Sequence, residues 1–298
     1  MGTMRFMAAA AIGLVCLDGL LPAQTEKVTI SLAPRSGQTV HYVAIQDITM
    51  EIVPDVPAGQ PSLIPTMKLA GKTTLAFTET SGSPDPQGRV TAVLTYEQAN
   101  GEMSVNGVTM PVTASLPDLV GKTLILVFGA DGKLADVTAP PEMTAALGPA
   151  RQFITDLFKL MPAAALAIGE TTTTPFSIPL PVPVPGGVPI VLEGQVKTTL
   201  VSVDADGDDH LAKCDQAFEA AMAPQAPSDP ASGTMRPSID MKMLGTGKLQ
   251  FNVDRGVMKS NESETTVDGV LSFGGSGATA LPSAKIHGTI KAALTGKY

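Results

Sequence analysis

The segment Ile239-Asp-Met-Lys-Met-Leu-Gly-Thr-Gly-Lys-Leu-Gln-Phe-Asn-Val253 carries the clearest structural signal in the chain. An apolar residue or glycine occupies every second position, and most of the positions between them are polar. A period of two is typical of an antiparallel strand with one face buried and the other in water. Gly256 follows, and a second alternating run continues to Phe273. The segment therefore predicts a long β-hairpin.

The same alternation recurs on both sides of this hairpin. Val28, Ile30 and Leu32 alternate with polar residues, and longer alternating runs cover residues 67–78, 90–97 and 285–294. Asn106-Gly107 lies between two apolar runs and favours a two-residue hairpin turn. Only the stretch around residues 141–162 departs from this period. The chain is thus predicted to be mostly β, of an α+β kind, with long antiparallel strands.

Residues 141–162 have the apolar spacing of a helix instead. Phe153, Leu157 and Leu160 lie at positions i, i+4 and i+7, and Pro162 ends the pattern. A Pro-rich stretch at 174–189 predicts an extended apolar loop or a sheet edge, since alternating prolines do not fit a central strand. A second loop, rich in Pro, Ser and Ala, is expected at 223–238 and is predicted to be flexible. No linker stands out, so residues 24–298 are predicted to form a single domain.

Composition and the first residues indicate where the protein acts. With 298 residues and a net charge of -8, the chain lacks the basic footprint that nucleic-acid binding requires. Arg5 precedes an apolar run from Met7 to Leu17, and Ala23 offers a small residue for cleavage. These features predict a signal peptide at 1–23 and a periplasmic or extracellular protein. The apolar run is too short to span a membrane, so the chain is not expected to be membrane-spanning.

An acidic stretch from Asp204 to Asp209 partly matches a calcium-binding loop. Asp204, Asp206 and Asp208 fall at its first, third and fifth positions, and they are the candidate metal ligands. Asp209 stands where the loop needs glycine, and the flanking segments have strand patterns rather than helical ones. A hairpin turn of solvated carboxylates is the interpretation that this departure favours. No cofactor is expected.

Apolar residues of the helical segment and the Pro-rich stretch are the candidate ligand contacts. They could simply complete the core, as a helix packed on a sheet commonly does. Alternatively, they cover an apolar cavity inside the sheet and gate a hydrophobic ligand. Met241 and Met243 on one strand face would suit such a cavity. The candidate contacts are Phe153, Leu157, Leu160, Met161, Phe176 and Ile178.

The layout also resembles a known fold class. The matching stretches are Ile30-Ser-Leu-Ala-Pro-Arg-Ser-Gly37, Leu119-Val-Gly121-Lys-Thr-Leu with Asp131-Gly132-Lys-Leu, the helical segment before Gly169-Glu170, and Gly247-Lys-Leu-Gln-Phe251 with Gly256. In their order they resemble bacterial envelope proteins of the lipoprotein-carrier (LolA/LolB-like) fold class. More closely, the chain is similar to a family of secreted bacterial envelope proteins, itself uncharacterised, that shares this layout. The resemblance implies a curved half-barrel sheet, a helix on its concave face, and handling of lipid or lipoprotein.

These observations lead to one expected function and one alternative. The chain is expected to be an exported envelope protein that binds lipid or another hydrophobic ligand in an apolar cavity. The alternative is a structural or protein-interaction component of the envelope, which would meet a protein partner by strand addition. An outer-membrane barrel is disfavoured, because 4% aromatic residues are too few for two girdles. No catalytic set can be assembled from residue spacing, so a non-catalytic protein is expected.

Overall fold

The structure is a computed structural model. It describes residues 27–32, 34–56, 65–111, 119–141, 155, 158, 160–161, 164–179, 191–222, 237–273 and 283–298. Most of these residues lie in strands, which we number in chain order. The strands are β1 (Val28–Ile30), β2 (Thr39–Pro54), β3 (Met67–Ser81), β4 (Val90–Val105), β5 (Val108–Pro111), β6 (Thr123–Phe128), β7 (Leu134–Thr138), β8 (Ala164–Leu166), β9 (Thr171–Pro179), β10 (Val191–Asp206), β11 (Asp209–Met222), β12 (Pro237–Asn252), β13 (Val257–Phe273) and β14 (Ala284–Lys297).

One large antiparallel sheet contains twelve of these strands, in the order β7-β6-β4-β3-β2-β14-β13-β12-β11-β10-β9, with β5 beside β4. Two meanders, β2 to β7 and β9 to β14, meet where β2 pairs with β14. β1 and β8 form a separate two-stranded sheet. The predicted mostly β fold of long antiparallel strands is therefore confirmed. Among the described residues, no helix has the length and apolar character needed to cross a membrane.

Turn residues close the hairpins where local sequence predicts them. Asn106 and Gly107 have φ values of 51° and 82°, as a type I′ turn requires at both central positions. Gly256 has a φ of 66° and connects β12 to β13. The predicted hairpins at these two turns are confirmed. Asn106 also accepts a hydrogen bond at its Oδ1 from the Lys68 backbone N–H, 2.8 Å away, which ties the turn to β3.

The two faces of the large sheet differ sharply, and strand register defines them. We call the face that carries the buried side chains of Tyr42, Leu249 and Phe251 the core face, and the other the outer face. Tyr42 lies opposite Phe77 on β3, and Leu249 lies opposite Cys214 on β11. Because side chains alternate along each strand, every second residue from these positions lies on the core face, and β-bulges in β4, β10 and β13 each shift this alternation by one residue.

Three apolar clusters pack at one end of the core face. The first centres on β4 and β6, with Leu94, Leu126 and Phe128. The second contains Ile30 and Leu166 of the small sheet, which pack on Phe251 and its neighbours. The third joins the start of β2 to the start of β13 through Tyr42 and Val257. The two-stranded sheet thus covers this end, which we call the packed end; the opposite strand ends are the far end.

Several predicted boundaries change in the structure. Of the two forms predicted for the Pro-rich stretch 174–189, an extended loop or a sheet edge, the structure shows the sheet edge for residues 174–179, which belong to strand β9. Pro237 and Ser238, placed in the loop 223–238, begin β12. The rest of both loops, the segment 1–23, and most of the predicted helix 141–162 lie outside the described residues. Pro141, Thr155 and Phe158 of that segment are described and have helical conformation, but a continuous helix is not shown.

Candidate functional site: the uncharged core face

The core face is almost free of charge across nine neighbouring strands. From β9 through β14 to β2, β3 and β4, its residues are apolar, glycine or uncharged polar, and the exceptions among those described, Glu79 on β3 and His210 at the start of β11, both lie toward the packed end. The outer face carries the charges of the same strands, including Asp47, Lys242 and Lys291. A sheet with one uncharged face must bury that face against something apolar, because exposed apolar surface is unfavourable in water.

Toward the far end, apolar side chains form a continuous surface. Val267 and Ile286 are buried at its centre on β13 and β14, and Met50 and Met243 are half-buried on the strands beside them. At the β9 edge, Phe176 stacks on Phe218 with ring centroids 5.5 Å apart. Further members of this surface are Ile48, Ile52, Met67, Leu69, Ile178, Leu192, Val196, Met222, Ile239, Met241, Leu271 and Ile290.

A line of uncharged polar side chains crosses the core face between this apolar surface and the packed end. We call it the polar row; its polar members are Thr198, Gln216, Ser263, Gln46 and Thr73. Strand pairing places them side by side, with Gly247, Ala292 and Gly101 at the intervening and terminal positions. Thr198 is buried, and the Gln216 Nε2 donates to its Oγ1 at 3.5 Å.

Asn261 lies next to the polar row, two residues from Ser263 on the same face of β13. Its Oδ1 atom is buried and has no hydrogen-bond partner in the part of the chain that the structure describes. A buried polar atom without a partner costs free energy, so such atoms call for an explanation. The polar members of the row come from five strands, and sequence reasoning missed the row because no local pattern links those strands.

Glu79 lies on the core face near the packed end. It is opposite Val40 on β2 and Leu94 on β4, both of which are buried. Burial raises the pKa of the Glu79 carboxyl from 4.5 to about 7. Burial, with the Glu79 charge second, also raises the pKa of Tyr42. Apolar surroundings therefore hold Glu79 mostly protonated below neutral pH.

The predicted ligand contacts are distributed over two places. Phe176 and Ile178 lie on the core face of β9, and Ile178 is 2% exposed. Met161 packs on the cluster around Ile30 and Phe251, whereas Leu160 is half-buried. Phe153 and Leu157 lie outside the described residues. The structure adds Phe158, whose ring meets that of Phe128 edge-on at 6.1 Å.

The acidic stretch 204–209 forms a hairpin turn, with Asp206 opposite Asp209 and Gly207 at a φ of 67°. Two of its carboxylates form ion pairs with lysine side chains of the same chain. Asp204 pairs with Lys213 at 2.6 Å, and Asp206 pairs with Lys259. Hydrogen bonds from these lysines lower the pKa of both carboxyls. Asp208 belongs to neither pair, and the described residues contain no group of three His, Cys, Asp or Glu placed to hold a metal ion.

The outer face holds one polar trio that sequence spacing did not suggest. Thr78 Oγ1 lies 2.8 Å from His41 Nδ1 and donates to Glu97 Oε1, so strands β2, β3 and β4 are linked. Nucleophilic catalysis needs the imidazole between the hydroxyl and the carboxylate. Here the hydroxyl lies between the other two groups, and the side chains of His41 and Glu97 are exposed. The trio is a surface hydrogen-bond network rather than a catalytic arrangement.

The outer face also has a depression of about 620 Å³ across β11, β12, β13, β14 and β2. Charges of both signs line it, and Lys291 pairs with Glu264 inside it at 3.2 Å.

Cys214 is a buried thiol of the core face with low reactivity. Burial raises the pKa of its thiol to about 11, so the thiolate is scarce at neutral pH.

A scan against protein-family models found no matching family, and a search of curated proteins found no matching protein. The core face and its polar row are therefore the features on which a function can be argued.

Proposed function

We propose that the chain is an exported, non-catalytic envelope protein that binds lipid or another hydrophobic ligand on the core face. The observation that carries this proposal is the absence of charged side chains from the described core face, apart from Glu79 and His210 toward the packed end, beside a charged outer face. Each 100 Å² of apolar surface that a ligand covers contributes roughly 2.5 kcal/mol. A lipid chain matches such a surface because it brings no charge that would need a partner.

The curved half-barrel with a covering segment belongs to the same proposal. Two described residues of segment 141–162, Phe158 and Met161, contact clusters on the core face. Neighbouring backbones also approach closely there: a Cβ on Gly247 would lie 2.8 Å from the Glu262 carbonyl oxygen. Such close approach supports curvature toward the core face, and the contacts support segment 141–162 as its cover.

Export is supported by the order of Arg5, the apolar run 7–17 and Ala23. These are the parts of a signal peptide, and an envelope location would give the protein access to lipid. A chain released after Ala23 would begin at Gln24.

Native mass spectrometry of the full chain, expressed with its own N-terminal segment and purified without detergent, tests the proposal. We expect a lipid-sized mass that organic solvent removes, on a chain that begins at Gln24. A bare chain mass would contradict ligand binding and favour the structural or protein-interaction alternative. An uncleaved chain would contradict export while leaving the ligand result to be judged separately.

Two adjacent residues of β12 provide a matched pair of variants. Met243 is half-buried on the core face, whereas Leu244 is 46% exposed on the outer face. Met243→Glu should abolish lipid retention because it places a charge under the ligand, and Leu244→Glu should retain it. If Met243→Glu does not fold, the uncharged Met50→Gln serves the same purpose. Equal lipid retention in the core-face and outer-face variants would place the ligand elsewhere.

A further inference from the structure

The polar row narrows the chemistry of the ligand, in an inference that rests on the proposed function. We propose that the core face selects amphiphiles with an uncharged hydrogen-bonding group, such as an acyl ester or acylglycerol, over fatty-acid anions and cationic amphiphiles. The apolar tail would lie toward the far end, and the ester or hydroxyl groups would lie at the polar row.

The first step is the position of the row. From Gln46, β2 continues for eight residues to Pro54, which is about 26 Å of strand. One acyl chain covers about half of a bilayer core, roughly 15 Å. The apolar surface on that side of the row is thus long enough for a complete tail, and a head group would end at the row.

The second step is the chemistry of the row. Gln46, Thr73 and Ser263 offer amide and hydroxyl groups, which both donate and accept hydrogen bonds. The buried Asn261 Oδ1 lacks a partner among the described residues and adds an unused polar atom beside Ser263. Carbonyl and hydroxyl groups of an acylglycerol match these side chains, since each can be satisfied without a counter-charge.

The third step is the exclusion of charged head groups. A carboxylate head group would find no cationic partner on this part of the core face. No core-face position is Lys, Arg or His within the described ranges 40–54, 67–81, 212–222, 239–251, 261–271 and 284–296. Glu79, the one carboxyl among the described residues of this face, is six residues from Thr73, about 20 Å along β3. It is therefore too distant to pair with a cationic group at the row. A buried charge without a partner is strongly unfavourable.

Displacement of N-phenyl-1-naphthylamine, an uncharged apolar fluorophore, from the full chain tests this selectivity. The competitors share a sixteen-carbon tail: monopalmitoylglycerol, palmitate and hexadecyltrimethylammonium, each below its micelle concentration. We expect monopalmitoylglycerol to displace the probe at concentrations at least about tenfold lower than either charged competitor. Equal potency of palmitate or of the cationic amphiphile would overturn the inference and leave the proposed function intact. Failure of the probe and of all three competitors to bind would overturn both.

Variants locate the selectivity at the row. Ser263→Ala and Gln46→Leu should each weaken monopalmitoylglycerol about two- to tenfold, as expected for one lost hydrogen bond, while probe affinity stays unchanged. Ser272→Ala is the matched control, because Ser272 is exposed on the outer face of the same strand. An unchanged affinity for monopalmitoylglycerol in both row variants would overturn the role of the polar row.

Discussion

At the scale of single residues, Glu79 combines an ionisable carboxyl with burial among apolar side chains. A carboxyl that lies between apolar strands resists ionisation, and burial raises its pKa to about 7. The folded chain therefore binds a proton at Glu79 that the unfolded chain has released once the pH exceeds its unfolded value of 4.5. Stability linked to this group is fully present below that unfolded value and falls as the pH rises toward about 7.

Glu79→Gln should remove this pH dependence, because the amide keeps the shape of the protonated acid and never ionises. We expect the variant to have a higher Tm than the wild type at pH 8, by a few degrees, and a similar Tm at pH 4. Thermal unfolding followed by circular dichroism at both pH values measures this. Glu102→Gln, at an exposed position on the neighbouring strand β4, is the control and should leave the profile unchanged. A Glu79→Gln profile parallel to that of the wild type would contradict the burial argument.

At the scale of elements, edge strand β9 is protected by proline. The Leu200 N–H of β10 donates to the Glu170 carbonyl, just before β9. Because backbone groups alternate in direction along a strand, the N–H and C=O groups of the even-numbered residues of β9 point toward β10. The backbone groups of the odd-numbered positions point away from the sheet, and Pro175 and Pro179 are two of them. Proline has no N–H to donate, so these residues hinder pairing with another strand.

Replacing both prolines should expose this edge. The double variant Pro175→Thr and Pro179→Thr is expected to self-associate by strand addition, since it restores two outward donors in a threonine-rich strand. Size-exclusion chromatography over a range of protein concentrations measures the change. Ser177→Thr, at an outward position that already has an N–H, is the matched control. A double variant that elutes as the wild type does would show that the prolines do not guard the edge.

At the scale of the whole molecule, the β2–β14 pairing makes one sheet out of two meanders. Gly288 lies on the core face at this seam, opposite Met50. A Cβ at this position would come within 2.5 Å of the Thr49 carbonyl oxygen and 2.7 Å of the Met50 Cγ. A larger residue must therefore push the two strands apart where both halves of the chain meet.

Gly288→Val should lower the stability of the whole chain by about 1–3 kcal/mol, the usual cost of overpacking. We expect one cooperative unfolding transition, shifted to lower temperature. If the β2–β14 pairing is lost, each meander loses the strand that pairs with its edge, so the two are expected to unfold together. Differential scanning calorimetry measures both the shift and the number of transitions. Thr289→Val, on the outer face of the same strand, is the control. An unshifted transition would contradict the tight seam, and two separate transitions would show that the meanders unfold independently.

Sequence alone determined the long alternating strands, the turns at Asn106-Gly107 and Gly256, and the composition of the strand faces. Ile239 to Val253 and the alternating runs beside it predict strands because side chains alternate with a period of two in any strand. Asn106-Gly107 and Gly256 predict turns because positive φ is a local property of the backbone. Of the candidate ligand residues, Phe176 and Ile178 were found on the core face, where a binding role needs them.

Only the tertiary structure decided which strands are neighbours, and with them the polar row and the surroundings of Glu79. Gln46, Thr73 and Ser263 become a line because hydrogen bonds join β3 to β2, β2 to β14 and β14 to β13. The pairing of β2 with β14 brings together residues more than 200 positions apart. Alternation specifies which face a side chain occupies, but strand order and register depend on packing and hydrogen bonding between distant segments, which a local period does not encode.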